Sequence, residues 1–252
     1  MTLYLIGLGL GDEKDITLRG LEIIKSCDYV YFETYTSLLS SSIEDLETLY
    51  GKKLISADRA MTEQGEEHII ELAKNHHVAF LVIGDPFSAT THTEFLKTAF
   101  NSGVTVQVVH NASVLGAIGR TGLQLYKFGK TTSIPFIEDV PHLEAPYHII
   151  RENHLLGAHT LCLLDLKPGI GKFMTINSAL TILKGIETRL GEGVITDSTP
   201  VVGCARLGRD DFMIRWGKLS EIINVDFGAP PHCLIIPGKL HFMEEETLTL
   251  WK

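Results

Sequence analysis

The stretch HVAFLVIGDPFSATTHTEFLKTAFNSG, residues 77–103, decides the fold of this chain. It opens at 78–83 with a continuous apolar run whose ends are β-branched, which is typical of a strand buried on both faces of a parallel sheet. Gly84 and Pro86 then end the run, because glycine turns without a Cβ and proline has no backbone donor. The stretch therefore predicts a buried strand followed by a tight polar loop.

The second half of the same stretch predicts a helix. Thr91 and Glu94 have the spacing of a capping box, and Gly103 is placed to end the helix. The loop before this helix carries a carboxylate, Asp85. Ligands of open α/β sheets bind outside the carboxyl ends of the strands, so Asp85 is a candidate binding residue. An isolated Gly-Asp-Pro turn more often only ties its own backbone, and the residues alone leave both interpretations open.

Composition limits the class of protein. A chain of 252 residues that is 44% hydrophobic can form one large domain or two small ones. The net charge of -9 argues against indiscriminate binding to nucleic acid and weakly favours a cationic ligand or a basic partner. The opening residues have no basic n-region, and no apolar stretch approaches the length of a membrane span. We therefore expect neither a signal peptide nor a membrane segment.

The cysteines and histidines give no metal signature. The 11 histidines show no HExxH or similar ligand spacing, so no metal site is predicted. The four cysteines lie far apart and mostly inside apolar runs, which predicts reduced, buried thiols in a cytoplasmic protein. These cysteines are Cys27, Cys162, Cys204 and Cys233.

A glycine-punctuated loop follows the first predicted strand, residues 2–6. Glycines at positions 7, 9 and 11 allow a ligand to approach the backbone closely, although a tight turn without a ligand is an equally good interpretation. The dinucleotide fingerprint GxGxxG would need a glycine where Asp12 stands, which disfavours an NAD-dependent dehydrogenase. The next helix is predicted to begin near Thr17, with a buried face of Leu18, Leu21 and Ile24.

The following elements continue the α/β pattern. A strand at 29–32 ends in Glu33, which could bind a ribose as in dinucleotide-binding folds, although the first loop matches no such pattern. Ser42 and Asp45 predict a capped helix, and Thr62 is predicted to open another. Strands that alternate with helices imply βαβ units with right-handed crossovers.

The next strand, at 104–109, leads into HNAS at 110–113. Either Asn111 or Ser113 can cap the helix that follows. The free N–H groups at such a helix start suit an acceptor-rich ligand, and capping without a ligand is the simpler alternative.

The second half of the chain has a different character. Strand-like runs at 201–205 and 212–214 predict an antiparallel ribbon and hence a mixed sheet. We therefore predict an N-terminal α/β domain at 1–115 with a mainly parallel sheet, a C-terminal α/β domain at 116–252, and a ligand cleft between them. Further strands are predicted at 160–166 and 233–236, and helices at 142–156 and 175–190.

Several segments together resemble the diphthine synthase family. They include LYLIGLGLGDEKDIT at 3–17, GDPFSATTH at 84–92, TLCLLDLK at 160–167 and PPHCLIIPG at 230–238, and they run collinearly along nearly the whole chain. The resemblance implies a tetrapyrrole methylase-like fold of two α/β domains, with S-adenosylmethionine bound in the cleft between them and a homodimeric assembly. It also implies methylation of the 3-amino-3-carboxypropyl group on one modified histidine of translation elongation factor 2.

Carried over residue by residue, the resemblance implies a set of cofactor contacts and leaves the catalytic residues unknown. Ser88 stands where the family often has glycine, so its backbone would make the contact. Without the resemblance, His232 would be interpreted as a satisfied histidine at a strand start. The implied contacts are Leu10, Asp85, Ser88, Ser113, Val114, Leu166, Leu207 and His232.

The resemblance also bears on the product, and it leaves two rival functions open. The wording of GDPFSATTH and TLCLLDLK is closest to members that also esterify the carboxylate, which favours diphthine methyl ester as the product and S-adenosylhomocysteine as the by-product. A precorrin or uroporphyrinogen methyltransferase would share the fold, but the charge of -9 disfavours a polyanionic macrocycle. A non-catalytic binding module on the same fold is the other alternative. Arg120 and Lys127 are candidates for docking the protein substrate.

Overall fold

The computed structural model describes residues 1–35, 37–58, 61 and 66–252. The predicted helix start at Thr62 lies outside these residues. The chain forms two compact units. Unit 1 comprises Met1–Ala117, Pro168–Ile170 and Gly208–Asp210, and unit 2 comprises Ile118–Lys167, Gly171–Leu207 and Asp211–Lys252.

Unit 1 is built on a five-stranded sheet in the order β3-β2-β4-β1-β5, in which all neighbouring strands are parallel. The run at 78–83 forms its middle strand, whose residues are all buried, as predicted. A strand in this position must be apolar on both faces because helices cover both. The strands are β1 Thr2–Gly7, β2 Tyr29–Glu33, β3 Ile55–Ala57, β4 Val78–Val82 and β5 Thr105–Val109.

Among the described residues of unit 1, two pairs of helices cover the two faces of this sheet. Successive strand residues point to opposite faces of the sheet. On one face Phe80 packs in the same cluster as the helix residue Phe95, and on the other face Leu81 packs in the same cluster as the helix residue Leu46. The first pair is α3 Glu66–Ala73 and α4 Thr93–Asn101; the second is α1 Leu18–Ser26 and α2 Ile43–Tyr50; a short α5 spans Val114–Ala117.

Two of the predicted helix starts have different outcomes. The capping box of Ser42 and Asp45 is confirmed, since each accepts a hydrogen bond from the other's backbone N–H. The capping box of Thr91 is wrong, because α4 begins one residue later, with His92 in the N-cap position and no side-chain cap. The first turn is instead closed by the backbone, where Glu94 N donates to Thr91 O at 3.2 Å.

The predicted buried face of α1 is wrong at one position. Leu18 is 81% exposed, whereas Ile24 is fully buried. The side chain of Thr17 caps the helix by accepting from Gly20 N at 3.0 Å. This start turns Gly20 and Ile24, four residues apart, toward the sheet and leaves Leu18 in solvent.

Unit 2 contains a mixed five-stranded sheet in the order β11-β10-β12-β7-β6. Its strands pair antiparallel except for β6 and β7, so the predicted antiparallel ribbon and mixed sheet are confirmed. The strands are β6 Thr132–Ile134, β7 Thr160–Leu164, β10 Pro200–Ala205, β11 Met213–Lys218 and β12 His232–Ile236, and β8 Leu166–Lys167 pairs separately with β9 Lys172–Phe173.

A long amphipathic helix forms much of the core of unit 2. The helical pattern predicted at 175–190 is confirmed: Thr175 caps the helix, and Ile176, Leu180 and Leu183 are fully buried. No helix in the described part of the chain is long and apolar enough to cross a membrane. The helices of unit 2 are α6 Ala145–Leu155, α7 Ile176–Leu190, α8 Leu219–Ile222 and α9 Phe242–Leu248.

A buried carboxylate, Glu244 in α9, ties distant segments of unit 2 together. It is bonded to Lys127 Nζ and accepts from Gln124 N at 2.9 Å, from His241 N at 2.8 Å and from His159 Nε2 at 3.0 Å. Burial alone would raise the pKa of Glu244, but these hydrogen bonds outweigh it and lower the pKa to about 2. The carboxylate is therefore ionised at neutral pH.

The two basic residues considered for docking are both engaged inside unit 2. Lys127 is held by Glu244 and also donates to Lys239 O at 2.8 Å. The guanidinium carbon of Arg120 lies 3.6 Å from the centroid of the Phe212 ring, a cation–π contact. These contacts give Lys127 a structural role, whereas Arg120 is exposed, and docking of a protein substrate by either residue stays a prediction.

We expect Glu244→Gln to lower the free energy of unfolding at neutral pH by about 3 kcal/mol, because it leaves the Lys127 ammonium without its counter-charge. The folded pKa of about 2 lies below the ordinary value of 4.5, so the stabilisation is complete above pH 4.5 and is lost as the pH falls toward 2. Urea titrations of both proteins at several pH values should therefore show their difference shrinking in acid.

The matched control is Glu152→Gln, which removes an exposed carboxylate paired with Lys130 at 2.7 Å. Exposed pairs contribute at most about 1 kcal/mol, so this variant should lose far less stability. Equal losses in the two variants, or a Glu244→Gln deficit that persists unchanged in acid, would contradict the role assigned to Glu244.

Candidate functional site

The carboxyl ends of β4, β1 and β5 lie side by side at one edge of the unit 1 sheet. From β1 the chain passes through α1 toward β2, whereas from β4 it passes through α4 across β1 to β5. Two adjacent strands whose connections leave in opposite directions define a topological switch point, the usual ligand-binding place in such sheets. Three segments meet there: loop 1 (8–17), loop 2 (83–92) and loop 3 (110–113).

Loops 1 and 2 are joined through glycine backbone. Gly9 N donates to Gly84 O at 3.2 Å, and Gly84 N donates to Gly9 O at 2.8 Å. Both glycines have positive φ, 81° and 84°, a conformation that residues with a Cβ rarely adopt. At Gly7 the limit is space, because a Cβ there would lie 2.6 Å from Gly84 O and 2.9 Å from Asn111 Cβ. Gly7, Gly9 and Gly84 thus let the three loops pack together.

Asn111 of loop 3 fastens the loops by its side chain. Its Nδ2 donates to Gly7 O and to Asp15 O, each at 3.0 Å, and its Oδ1 accepts from Ala112 N at 2.7 Å. Of the two candidates for capping the next helix, Asn111 is therefore the wrong one. The first turn of α5 forms instead through the backbone, where Ala117 N donates to Ser113 O at 2.9 Å.

Asp85 lies almost buried at the centre of this edge and uses both carboxylate oxygens. Oδ1 accepts from Phe87 N at 3.0 Å and from Ser88 Oγ at 3.2 Å, which ties loop 2 to itself. Oδ2 reaches loop 3, where it bonds His110 Nδ1 at 2.7 Å and Asn111 N at 3.3 Å. Burial would raise the pKa of Asp85, but these hydrogen bonds lower it overall. Asp85 therefore ties its own turn and also points an anionic oxygen at the neighbouring loop.

His110 is the residue of this edge that the sequence analysis missed. It directly follows β5, and 69% of its side chain is exposed. Because an ionised carboxylate only accepts hydrogen bonds, Nδ1 of the neutral imidazole must donate to Asp85, which leaves Nε2 as an acceptor. The sequence signal that could have identified His110 is its position directly after β5, the strand that follows Asp85 and α4 in the chain.

A second histidine, the last residue of loop 2, lies close to a buried acid. Glu33 at the end of β2 is fully buried, and its Oε2 lies 3.7 Å from Nε2 of His92, which is also buried. The other ring nitrogen of His92 lies 3.1 Å from Pro86 O, and burial lowers the pKa of this histidine. Glu33 is therefore packed inside unit 1, which does not support the role in ribose binding considered for it.

The five cofactor contacts predicted in unit 1 all lie on or directly after these loops. Ser88 bonds Asp85, as described above. Leu10 lies close to loop 2, since a Cβ on Gly84 would be 3.9 Å from Leu10 Cδ2 and 3.8 Å from Ala112 O. Ser113 and Val114 follow Ala112 in the chain. The structure thus brings these predicted residues to one edge of one sheet.

The three contacts predicted in unit 2 also share one edge of their own sheet. His232 begins β12 and is opposite Ala205 at the end of β10. Leu207 follows Ala205 by two residues, and Leu166 follows the end of β7, the strand on the other side of β12. The carboxyl ends of β7 and β10 and the amino end of β12 meet at this edge because β12 is antiparallel to both.

Arg206 holds the backbone of this second edge in place. It adopts a positive φ of 52°, and its backbone N–H donates to Pro231 O at 2.8 Å. Its guanidinium donates to Phe227 O at 2.8 Å, to Ala229 O, and to Asp211 O at 3.0 and 3.1 Å. Arg206 therefore joins the segment that carries Leu207 to the loop that precedes His232.

His232 itself has one ring nitrogen to offer. Nε2 lies 3.1 Å from Ala229 O, whereas the buried Nδ1 has no hydrogen-bond partner among the described residues. Burial lowers the pKa of His232, so the ring is neutral near pH 7. Since Nε2 donates to a carbonyl, Nδ1 is a buried acceptor that a ligand could satisfy.

Comparison with known proteins shows the family of this chain. The chain belongs to the tetrapyrrole (corrin/porphyrin) methylase family, whose family model matches residues 2–223. It is 44% identical over 269 residues to the diphthine methyl ester synthase of Homo sapiens, covering 99% of this chain and 94% of the human protein. It is 45% identical over 247 residues to the diphthine synthase of Methanococcus maripaludis, covering 98% and 97%.

A solved structure of a relative has the same fold as this chain. The crystal structure of a diphthine synthase superposes with a TM-score of 0.91 at 37% sequence identity, covering 100% of this chain and 96% of the other. The resemblance seen in the sequence and the predicted tetrapyrrole methylase-like α/β fold class are thereby confirmed.

We expect Asn111→Ala to loosen the unit 1 edge, because it deprives two backbone carbonyls of their donor at a cost of about 1–3 kcal/mol. Amide hydrogen exchange should be faster in loops 1 and 3 while the core strands β1 and β4 stay protected. Asn224→Ala, which removes one bond of 3.1 Å to Ser220 O on the surface, is the matched control. Unchanged exchange in both loops would show that Asn111 does not hold them.

Proposed function

We propose that this protein is an S-adenosylmethionine-dependent methyltransferase of diphthamide biosynthesis. Its acceptor is the 3-amino-3-carboxypropyl group on a modified histidine of translation elongation factor 2. The observation that carries the proposal is the similarity to diphthine methyl ester synthase, which extends over 99% of this chain. Two sheet edges with the predicted contact residues support it.

Diphthine methyl ester is the product we propose. Overall identity does not discriminate, because the human methyl ester synthase and the Methanococcus diphthine synthase are 44% and 45% identical to this chain. The sequences of the segments GDPFSATTH and TLCLLDLK, which are closest to members that also esterify the carboxylate, favour the methyl ester as the product. A tetrapyrrole substrate has support only from membership of the broader family.

The residues present fit the proposed cofactor. At Gly84 a Cβ would meet nothing closer than 3.8 Å, so the turn leaves room beside its backbone. The lowered pKa keeps Asp85 anionic, which suits a ligand that carries an ammonium and a sulfonium. The buried Nδ1 of His232, which has no hydrogen-bond partner in the part of the chain that the structure describes, can accept from an exocyclic amine. The residues that would hold the cofactor are Leu10, Asp85, Ser88, Ser113, Val114, Leu166, Leu207 and His232.

When bound, S-adenosylmethionine supplies a methyl group already activated by a positively charged sulfur. The chain therefore has no need of a nucleophilic side chain, and its task is to fix the geometry of the reacting groups, which can account for about 7–11 kcal/mol of the barrier. Asn111 and the glycine pair keep the unit 1 contacts in place, and Arg206 does the same for those of unit 2. Half-buried Leu10 and Leu166 offer apolar surface.

Assembly and location are further parts of the proposal. We propose a homodimer, which light scattering would test, and elongation factor 2 as the protein partner. All four cysteines are free thiols, which supports the cytoplasm as the place of action. We propose no nucleic-acid or membrane partner.

Asp85→Asn should weaken the binding of S-adenosylmethionine by about 10–100-fold, because one charge-assisted contact contributes about 1.5–3 kcal/mol. Isothermal titration calorimetry measures the effect directly. Asp197→Asn, at an exposed pair with Lys184, is the control and should bind like wild type. Equal affinity of the Asp85 variant and wild type would remove Asp85 from the site.

The substrate is tested by supplying the labelled cofactor with elongation factor 2 from cells that lack this methylation step, or with a tetrapyrrole. We expect label only in the modified histidine peptide, and mass spectrometry before and after mild alkali would separate ester methyls from methyls on nitrogen. Transfer to the tetrapyrrole alone would refute the proposed substrate. A protein that binds no S-adenosylmethionine would be a binding module of another kind.

A further inference from the structure

The pair formed by Asp85 and His110 is arranged like the acid and imidazole of a general-base dyad. Asp85 Oδ2 and His110 Nδ1 are 2.7 Å apart, and the carboxylate is almost buried while 69% of the imidazole side chain is exposed. A buried carboxylate bonded to Nδ1 fixes the tautomer and leaves Nε2 able to accept a proton. The same carboxylate is held on its other oxygen by loop 2, so the imidazole is attached to a rigid support.

The proposed reaction needs a group with this property. The acceptor amine is an ammonium ion at neutral pH, and an ammonium nitrogen has no lone pair to attack a methyl group. One proton must therefore leave before each transfer to nitrogen. The carboxylate acceptor differs, since it is already deprotonated and needs no base.

We propose that His110 is the catalytic base that takes this proton, with Asp85 orienting its imidazole. The assignment rests on the proposed function. His110 Nε2 accepts a proton from the acceptor ammonium, and the amine lone pair then forms the new N–C bond as the C–S bond breaks and its electron pair stays on sulfur. The positive charge moves from sulfur to nitrogen, and exposed His110 returns its proton to water before the next transfer.

The surroundings of His110 favour it over the other histidines near the predicted contacts. His92 on loop 2 is 1% exposed, and His232 is 9% exposed with its Nδ1 enclosed, so neither can pass a proton to solvent readily. Among the described residues, the Asp85 carboxylate bonds the His110 ring, and the centroid of the Phe87 ring lies 6.3 Å from the centroid of that ring. On loop 1, the Asp15 carboxylate accepts from the N–H groups of Leu10 and Gly11.

The test compares His110→Gln and His110→Ala with wild type. Glutamine can still donate to Asp85 but cannot act as a base, so it separates the chemical role from a structural one. The matched control is His76→Gln, because His76 is 42% exposed and also lies 3.8 Å from a carboxylate, that of Asp28, at the amino end of β4. Calorimetry with S-adenosylmethionine should give affinities within about threefold of wild type for all variants.

At neutral pH, methyl transfer to nitrogen should fall about 100-fold in both His110 variants, whereas ester formation should change little. The deficit should narrow as the pH rises, because the amine then loses its proton to solvent. Added imidazole should restore part of the rate in His110→Ala. Retention of the nitrogen methylation rate by His110→Gln, or an equal loss of nitrogen and ester methylation, would overturn the proposal.

A second measurement is independent of turnover. In the protein without ligands, ¹⁵N spectra of the His110 ring should show the Nδ1–H tautomer, and Asp85→Asn should remove that preference. A wild-type ring in the Nε2–H tautomer would overturn the dyad even if methyl transfer occurs. If wild type transfers no methyl group to the elongation factor, the proposed function fails and the base assignment falls with it.

Discussion

The close approach of three backbone segments at Gly7 is the constraint on which the unit 1 edge depends. A Cβ at this position would lie 2.6 Å from Gly84 O, so no other residue leaves the loops where they are. Because the segments touch through backbone and through the short side chain of Asn111, the groups they carry have little freedom. Asp85 and His110 are therefore positioned by the packing of the sheet edge, as a preorganised site requires.

The elements that could be predicted from sequence are those whose cause is local. The apolar run that became β4 is readable because a strand covered on both faces has to be apolar throughout. Ser42 and Asp45 satisfy each other within one helical turn, and the stripe of α7 follows from helical periodicity alone. Asp85 could be singled out in the same way, from its place directly after a buried strand.

The features that sequence reasoning missed have causes far away in the chain. Asn111 has the residue type of a helix cap, but its amide bonds Gly7 and Asp15, which are 104 and 96 residues distant. The role of His110 is evident only in the folded sheet, where β5 lies beside β1 and the Asp85 carboxylate is within hydrogen-bond distance of the His110 ring. Lys127 looked like a surface cation because its partner Glu244 lies 117 residues later. Local spacing carries no information about such pairs.

The network around Glu244 also bears on how the chain matures during synthesis. The five strands that the structure describes in unit 1 lie within residues 2–109, so that sheet can assemble while the rest is still being translated. In unit 2, by contrast, Lys127 and His159 gain their partner, the carboxylate of Glu244, only after α9 has been synthesised. A nascent chain stalled before this helix would hold a finished first unit and an unfinished second one, which makes the second the natural target of chaperones and proteases on the ribosome.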